Sequence, residues 1–184
     1  MGLRDKISGS IELEGKDKIA YLPEKFEPPY FLTGKKFIEF SMRLYKRKIS
    51  SDEIHEAAKN ISLDASFLDK AVHTCSKGMR QKIGLLATIL TGCNLLILDE
   101  PMSGLDPKAR QEVKQMILKV REEGRSVFMS SHILGDMHEL CDRIAVLHGN
   151  TLMFTVAPQE LLLQTNQDTL EKAFLTLIET KMRA

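Results

Sequence analysis

The stretch Asn94–Asp106, NLLILDEPMSGLD, constrains this chain more than any other. Leu95, Leu96, Ile97 and Leu98 form an unbroken apolar run, the pattern of a short strand buried on both faces of a parallel sheet. Two adjacent carboxylates, Asp99 and Glu100, end it, and Pro101 cannot continue a central strand. Ligands of open α/β sheets sit beyond the carboxyl ends of the strands, so both acids are expected to border a binding crevice. Successive strand residues face opposite ways, which lets one acid hold a metal while its neighbour meets a water.

At 184 residues the chain is expected to be one domain with a real core. Its formal charge of +1 gives no global argument for binding nucleic acid, and none is expected as a partner. Met1–Ser10 is polar and does not read as a signal peptide. The uncharged stretch Ile83–Leu98 is shorter than the roughly 20 residues of a membrane span. Thr91-Gly92-Cys93-Asn94 interrupts it, so helix, turn and strand is the better reading. Cys75, Cys93 and Cys141 are odd in number and far apart, which suits free thiols in a reducing cytoplasm. His73 and Cys75 lack a second pair at zinc-site spacing.

Alternation at Ser8–Glu14 predicts a short edge strand, and Gly15-Lys16-Asp17 turns into a second strand, Lys18–Leu22, stopped by Pro23. A loop follows to Leu32. Thr33 caps a helix reaching about Lys46, with Phe37, Phe40, Ser41 and Leu44 on its inner stripe. Ser50 and Glu53 stand at capping-box spacing before a helix carrying Ile54, Ala57, Ala58 and Ile61. Ser62–Thr74 reads as irregular. Ser76 starts a third helix, with Met79, Ile83, Leu86, Ala87 and Leu90 at helical spacing. Beyond the acids, Asp106 caps and Pro107 opens a helix to about Glu123, with Val113, Met116, Ile117 and Val120 inward and Gly124 as its stop. Ser126–Ser130 is the next strand, a short helix runs through Leu140, and Arg143–Leu147 is a strand. Gly149-Asn150 turns into Thr151–Val156. Pro158 opens another helix. Asp168 with Glu171 caps the last, whose Leu170, Ala173, Phe174 and Leu177 face inward. Helices alternating with buried strands predict the α/β class.

Three elements, far apart in sequence, could meet at one crevice. Asp99-Glu100 is the first. His132, at the end of the following strand, is the second, and a neutral imidazole there can donate to a phosphate oxygen. Ser76-Lys77-Gly78 is the third, at a helix start where free backbone N–H groups and the dipole favour an anion; taken alone, that stretch is better read as an ordinary serine N-cap.

Together these residues resemble the ATP-binding domain of ABC transporters. Leu95–Pro101 resembles the family's Walker B strand with its catalytic glutamate, Ser103-Gly104-Leu105-Asp106 its D-loop, and Ser131-His132 its H-loop switch. Cys75-Ser76-Lys77-Gly78-Met79 resembles the signature sequence, in the Ser-Lys-Gly-Met form of drug- and bacteriocin-type exporters. Ile19–Glu24 resembles the Q-loop strand, with Glu24 where most members carry glutamine, and Thr169–Phe174 the closing helix of that exporter branch. One family motif is missing. A Walker A is Gly, four residues, then Gly-Lys-Ser/Thr, whose amides and lysine cradle phosphates. Gly15-Lys16 and Gly34-Lys35 are followed by Asp17 and Lys36 and lack the first glycine, and Met1–Gly9 is similar to the segment after the Walker A helix.

The resemblance therefore implies a P-loop NTPase-like parallel sheet core with a helical signature subdomain, N-terminally truncated. It implies a single domain over 1–184, with the helical part at about 33–91 and the core at about 92–184. ATP and Mg2+ are the implied cofactors: Asp99 would organise the metal, Glu100 polarise the attacking water and His132 hold the γ-phosphate. Ser76, Lys77 and Gly78 would meet nucleotide held by a second ATP-binding subunit packed head to tail. Asp106 would communicate across that dimer, and Glu24 would report to transmembrane permease subunits. The implied location is cytoplasmic, peripheral at the inner face of the cell membrane. Without a Walker A the isolated chain is expected to be inactive as an ATPase. Three readings stay open: an exporter subunit whose phosphate loop is not in this chain, a non-hydrolysing partner lending its signature helix, and a soluble ABC-type ATPase unconnected with transport.

Overall fold

A computed structural model describes residues 19–148 and 150–183 of the chain. The edge strand expected at Ser8–Glu14 and the turn after it lie outside the described residues. Three short strands, β1 (Ile19–Leu22), β2 (Leu95–Leu98) and β3 (Ser126–Met129), pair in parallel in the order β1-β2-β3. Leu22, Leu98 and Met129 stand in one row of the register. Pro23 and Pro101 follow β1 and β2 closely, and neither can donate to a ladder. All three strands therefore finish at the same end of the sheet, and the chain turns out there.

One sheet face is buried and the other is not. Ala20, Leu22, Leu96 and Leu98 are at most 1% exposed. The three leucines pack with side chains of α3 (Lys77–Leu90) and α4 (Pro107–Glu122), including Ile83, Leu86, Val113 and Met116. On the opposite face Leu95 and Ile97 are half-buried, while Tyr21 is 40% and Phe128 65% exposed. This corrects the expectation of a strand buried on both sides. An unbroken apolar run shows that both faces suit burial, not that the described residues cover both.

α1 (Gly34–Leu44) begins where the Thr33 hydroxyl accepts from the Lys36 N–H at 3.3 Å. Its buried row is Gly34, Ile38 and Met42, not the predicted stripe; Phe40 and Leu44 are 47% and 67% exposed. Gly34 explains the rotation, since a Cβ there would meet the Leu68 backbone at 3.2 Å, and the missing side chain lets this row approach closely. Phe37 stays on the flank, edge-to-face with Phe26 at 5.0 Å between centroids. α2 (Ser51–Lys59) is capped by Ser50, which accepts from the Glu53 N–H, but the reciprocal half of the capping box is not made. The Glu53 carboxylate turns instead to Arg47 at 2.5 Å. The span read as irregular holds two 3-10 turns, Ala65–Phe67 and Val72–Thr74.

Beyond β3 the chain runs through α5 (Leu134–Leu140) into an antiparallel hairpin, β4 (Ile144–His148) and β5 (Thr151–Val156), which forms a sheet of its own. Asn150 takes a φ of 61° in its turn. α6 (Pro158–Thr165) and α7 (Leu170–Arg183) close the chain, and Val156, Leu161, Leu170 and Ala173 form a second apolar cluster with Met137 and Ile144. Asp168 does not cap α7 as the sequence suggested. It pairs with Lys172 at 2.8 Å, and the Thr169 hydroxyl accepts from the Lys172 N–H. A threonine next to the first helical residue outcompeted an aspartate whose carboxylate had a lysine one turn away.

Candidate functional site

The sheet's carboxyl end gathers residues from all three strands. The Asp99 N–H donates to the Leu22 carbonyl, which ties the end of β1 to the start of the acid pair. The Ser130 N–H donates to the Leu98 carbonyl at 3.0 Å and holds the end of β3 alongside. Across this junction the Ser130 hydroxyl donates to Asp99 Oδ1 at 2.5 Å and accepts from the Glu100 N–H at 3.0 Å. The Tyr21 hydroxyl approaches Asp99 Oδ2 at 3.4 Å. Glu100 turns its carboxylate to His132, whose Nδ1 lies 2.9 Å from Oε2. Its backbone there has a φ of 45°, a left-handed conformation that residues other than glycine, asparagine and aspartate rarely adopt. Asp99, Glu100 and His132 thus come together. Glu24 lies exposed beyond the end of β1 at the same sheet end, and no side-chain contact joins it to them.

The other sequence candidates show local roles. Ser76 caps α3, its hydroxyl accepting from the Met79 N–H at 3.3 Å. Asp106 caps α4, accepting from the Ala109 N–H at 2.9 Å. Gly78 lets these two helices meet, for a Cβ there would lie 3.1 Å from that of Ala109. The Lys77 ammonium lies against Gly104 in the loop after the acids, where a side chain would collide with it, and Gly104 has a φ of +64°. Ser76 and Lys77 are exposed, so the first turn of α3 faces solvent.

Comparison with known proteins decides the family. A family model described as "AAA domain, putative AbiEii toxin, Type IV TA system" matches residues 2–135. An uncharacterized ABC transporter ATP-binding protein of Nostoc sp. is 35% identical over 80% of this chain and 45% of its own length. The lantibiotic transport ATP-binding protein SrtF of Streptococcus pyogenes is 31% identical over 83% of this chain and 68% of its own. This chain belongs to the ABC transporter ATP-binding proteins. A solved ATP-binding subunit of an ABC transporter superposes on it with a TM-score of 0.75 at 24% identity, covering 88% of this chain and 69% of that one. The fold is the α/β fold of ABC ATPase domains. The chain spans a little under half of the Nostoc relative.

Against that family, the donor set at the sheet end suits magnesium. Mg2+ on a nucleotide is held through one or two carboxylates together with phosphate oxygens. Among the described residues Asp99 Oδ2 carries only the long contact to Tyr21, which leaves this oxygen for a metal. A cage made by protein alone is not offered: among the described residues no group of three or more His, Cys, Asp or Glu stands together. The sequence contains no Gly-x-x-x-x-Gly-Lys-Ser/Thr phosphate-cradling motif. Gly34-Lys35 opens α1, and Gly34 is buried beneath the Leu68 backbone, so that pair serves packing. Among the described residues no helix is long and apolar enough to cross a membrane.

Sequence reasoning missed two members of the cluster, Tyr21 and Ser130. Burial, and then the Asp99 carboxylate beside it, push the Tyr21 phenol above its ordinary value. Both residues were findable. Once β1, β2 and β3 are taken as parallel neighbours, the residue after Leu98↔Met129 in the register sets Ser130 across from Asp99.

Proposed function

We propose that this chain is the ATP-binding subunit of an ABC-type exporter, working with a phosphate-binding loop that its own sequence does not contain. The observation that carries the reading is the meeting of Asp99, Glu100 and His132 at the ends of two adjacent strands. In this reading residues 33–91 are the helical signature part and 92–184 the core. Magnesium-bound ATP would supply its γ-phosphoryl group for transfer to water, the β–γ phosphoanhydride bond breaking and ADP leaving. Asp99 would hold the metal through Oδ2. Glu100 would orient and polarise the water, and His132 would donate a hydrogen bond to the terminal phosphate. Because His132 already engages the Glu100 carboxylate, these two residues must exchange partners when phosphate arrives. Ser76, Lys77 and Gly78 would meet nucleotide held by a second ATP-binding subunit, with Asp106 facing that subunit and Glu24 facing a permease. The chain would then lie on the cytoplasmic face of the membrane, attached through the permease. The lantibiotic transport named for the Streptococcus relative agrees with the exporter branch.

The electrostatic cradle for the phosphates is a large part of such catalysis, so purified chain is expected to show no ATP hydrolysis. Measurable turnover by the chain alone would overturn this.

The solvent-facing first turn of α3 favours a second reading, in which the chain does not hydrolyse ATP itself but lends its signature helix to an intact cassette. Mixing the two should then raise the intact cassette's ATPase activity, and Ser76→Arg should remove the gain. No change on mixing would dismiss it.

A further inference from the structure

We propose that Ser130 is the positioning residue of the acid pair, fixing where the Glu100 carboxylate points. The strand register sets its place. Ser130 follows the β3 residue paired with Leu98, and its own N–H is bonded to the Leu98 carbonyl, so its Cα is held by the sheet. From that place one hydroxyl makes two contacts of opposite sense. It donates to Asp99 Oδ1 at 2.5 Å, the short distance of a charge-assisted O–H···O bond. It accepts from the Glu100 N–H at 3.0 Å. A serine hydroxyl has one proton to give and lone pairs to receive with, so both roles are filled at once. An alanine fills neither, and an aspartate would repel Asp99.

What the clamp holds is an unfavourable conformation. Glu100 has a φ of 45°, in the left-handed region where a Cβ crowds the following carbonyl oxygen. Such strain persists only where the surroundings over-determine it. The Ser130–Glu100 bond is attached to the strained residue itself, and the Glu100–His132 contact lies just beyond it. Released to an ordinary φ, Glu100 would swing its side chain away from the imidazole. Ser130 and His132 are two residues apart on one strand end. The segment that carries the imidazole therefore also aims the carboxylate at it. The inference rests on Glu100 having the water-polarising role proposed above.

The test needs no nucleotide, so its failure and the failure of the ATP-binding reading are distinguishable. Isotopically labelled full-length chain is compared with Ser130→Ala and Ser130→Thr. In the wild type the Glu100 amide should be protected from hydrogen exchange, and the His132 ring should show nuclear Overhauser contacts to the Glu100 side chain. Ser130→Ala should speed exchange at Glu100 by about tenfold, the worth of one lost hydrogen bond, and abolish the His132 contacts. Amides of α3 and α4 should not change, which a merely structural role would not produce. Ser130→Thr keeps the hydroxyl and should restore both signals. Should the alanine variant fail to fold, Ser130→Cys, nearly isosteric and a poor hydrogen-bonding partner, takes its place in the same measurements. Unchanged Glu100 exchange and His132 contacts in a folded Ala or Cys variant, or no restoration by Thr, would overturn the proposal.

Discussion

The Glu100 carboxylate and the His132 imidazole lie 2.9 Å apart across the ends of neighbouring strands, although 32 positions separate them in the chain. The imidazole side chain is 66% exposed, so solvent screens the pair. Its worth to stability is expected to stay below about 1 kcal/mol. His132→Ala should leave the urea unfolding midpoint nearly unmoved. A loss above about 2 kcal/mol would mean that the contact serves the fold rather than the site.

Ser76 offers a cleaner separation of fold from function. Aspartate is as good an N-cap as serine, and a negative charge favours a helix start. Ser76→Asp should therefore keep or slightly raise the melting temperature, because the cap to Met79 is retained. The same change sets a carboxylate where a phosphate would approach, so it should erase any stimulation of an intact cassette. Ser76→Ala should do the reverse, costing about 1 kcal/mol and sparing much of the stimulation.

Tyr21 reports on Asp99. Burial raises the phenol's pKa above 10.0, and the neighbouring carboxylate adds to the rise. Asp99→Asn removes the second cause and should lower the value toward 10.0. Phenolate absorbance in a Tyr30→Phe, Tyr45→Phe background isolates this group, since the chain has 3 tyrosines. The sign for stability follows from linkage: a raised folded value gives a contribution complete below 10.0 and lost as pH climbs through the raised value. Alkaline unfolding of Asp99→Asn should show less of this loss. An unmoved titration would separate Tyr21 from Asp99.

The ion cluster joining α4 to α5 is expected to be costly to break. Asp136, with a side chain 8% exposed, accepts from Arg110 at 2.5 and 2.8 Å and lies 3.5 Å from the Lys114 ammonium. Removing one partner of a buried pair costs about 3–5 kcal/mol. Arg110 is partly exposed and Lys114 keeps Glu139, so about 2–3 kcal/mol is the expectation for Asp136→Ala. Chemical denaturation measures it directly, and a loss below about 1 kcal/mol would mark the cluster as solvated.

Much of this architecture was legible because local chemistry and packing agree. Proline, glycine and capping residues placed the helix starts, and Ser50, Ser76 and Asp106 all cap where the pattern located them. Where readings failed, a contact invisible to periodicity had decided. The inner face of α1 was displaced by the close seat of Gly34 against the Leu68 backbone. Glu53 was drawn from its capping box by Arg47. The left-handed turn at Glu100 and the two-way bond of Ser130 depend on strand register, which one strand's own residues do not carry. Motif order located the acids and the histidine, while their partners emerged only from the sheet.

The two apolar clusters have a mechanical consequence. Leu140 belongs to the larger body with α3 and α4, and Met137 to the smaller one with β4, β5, α6 and α7. α5 therefore has a foot in each, and His132 stands just ahead of its first turn. The short helix that follows the imidazole is therefore a seam between the two clusters, anchored to both.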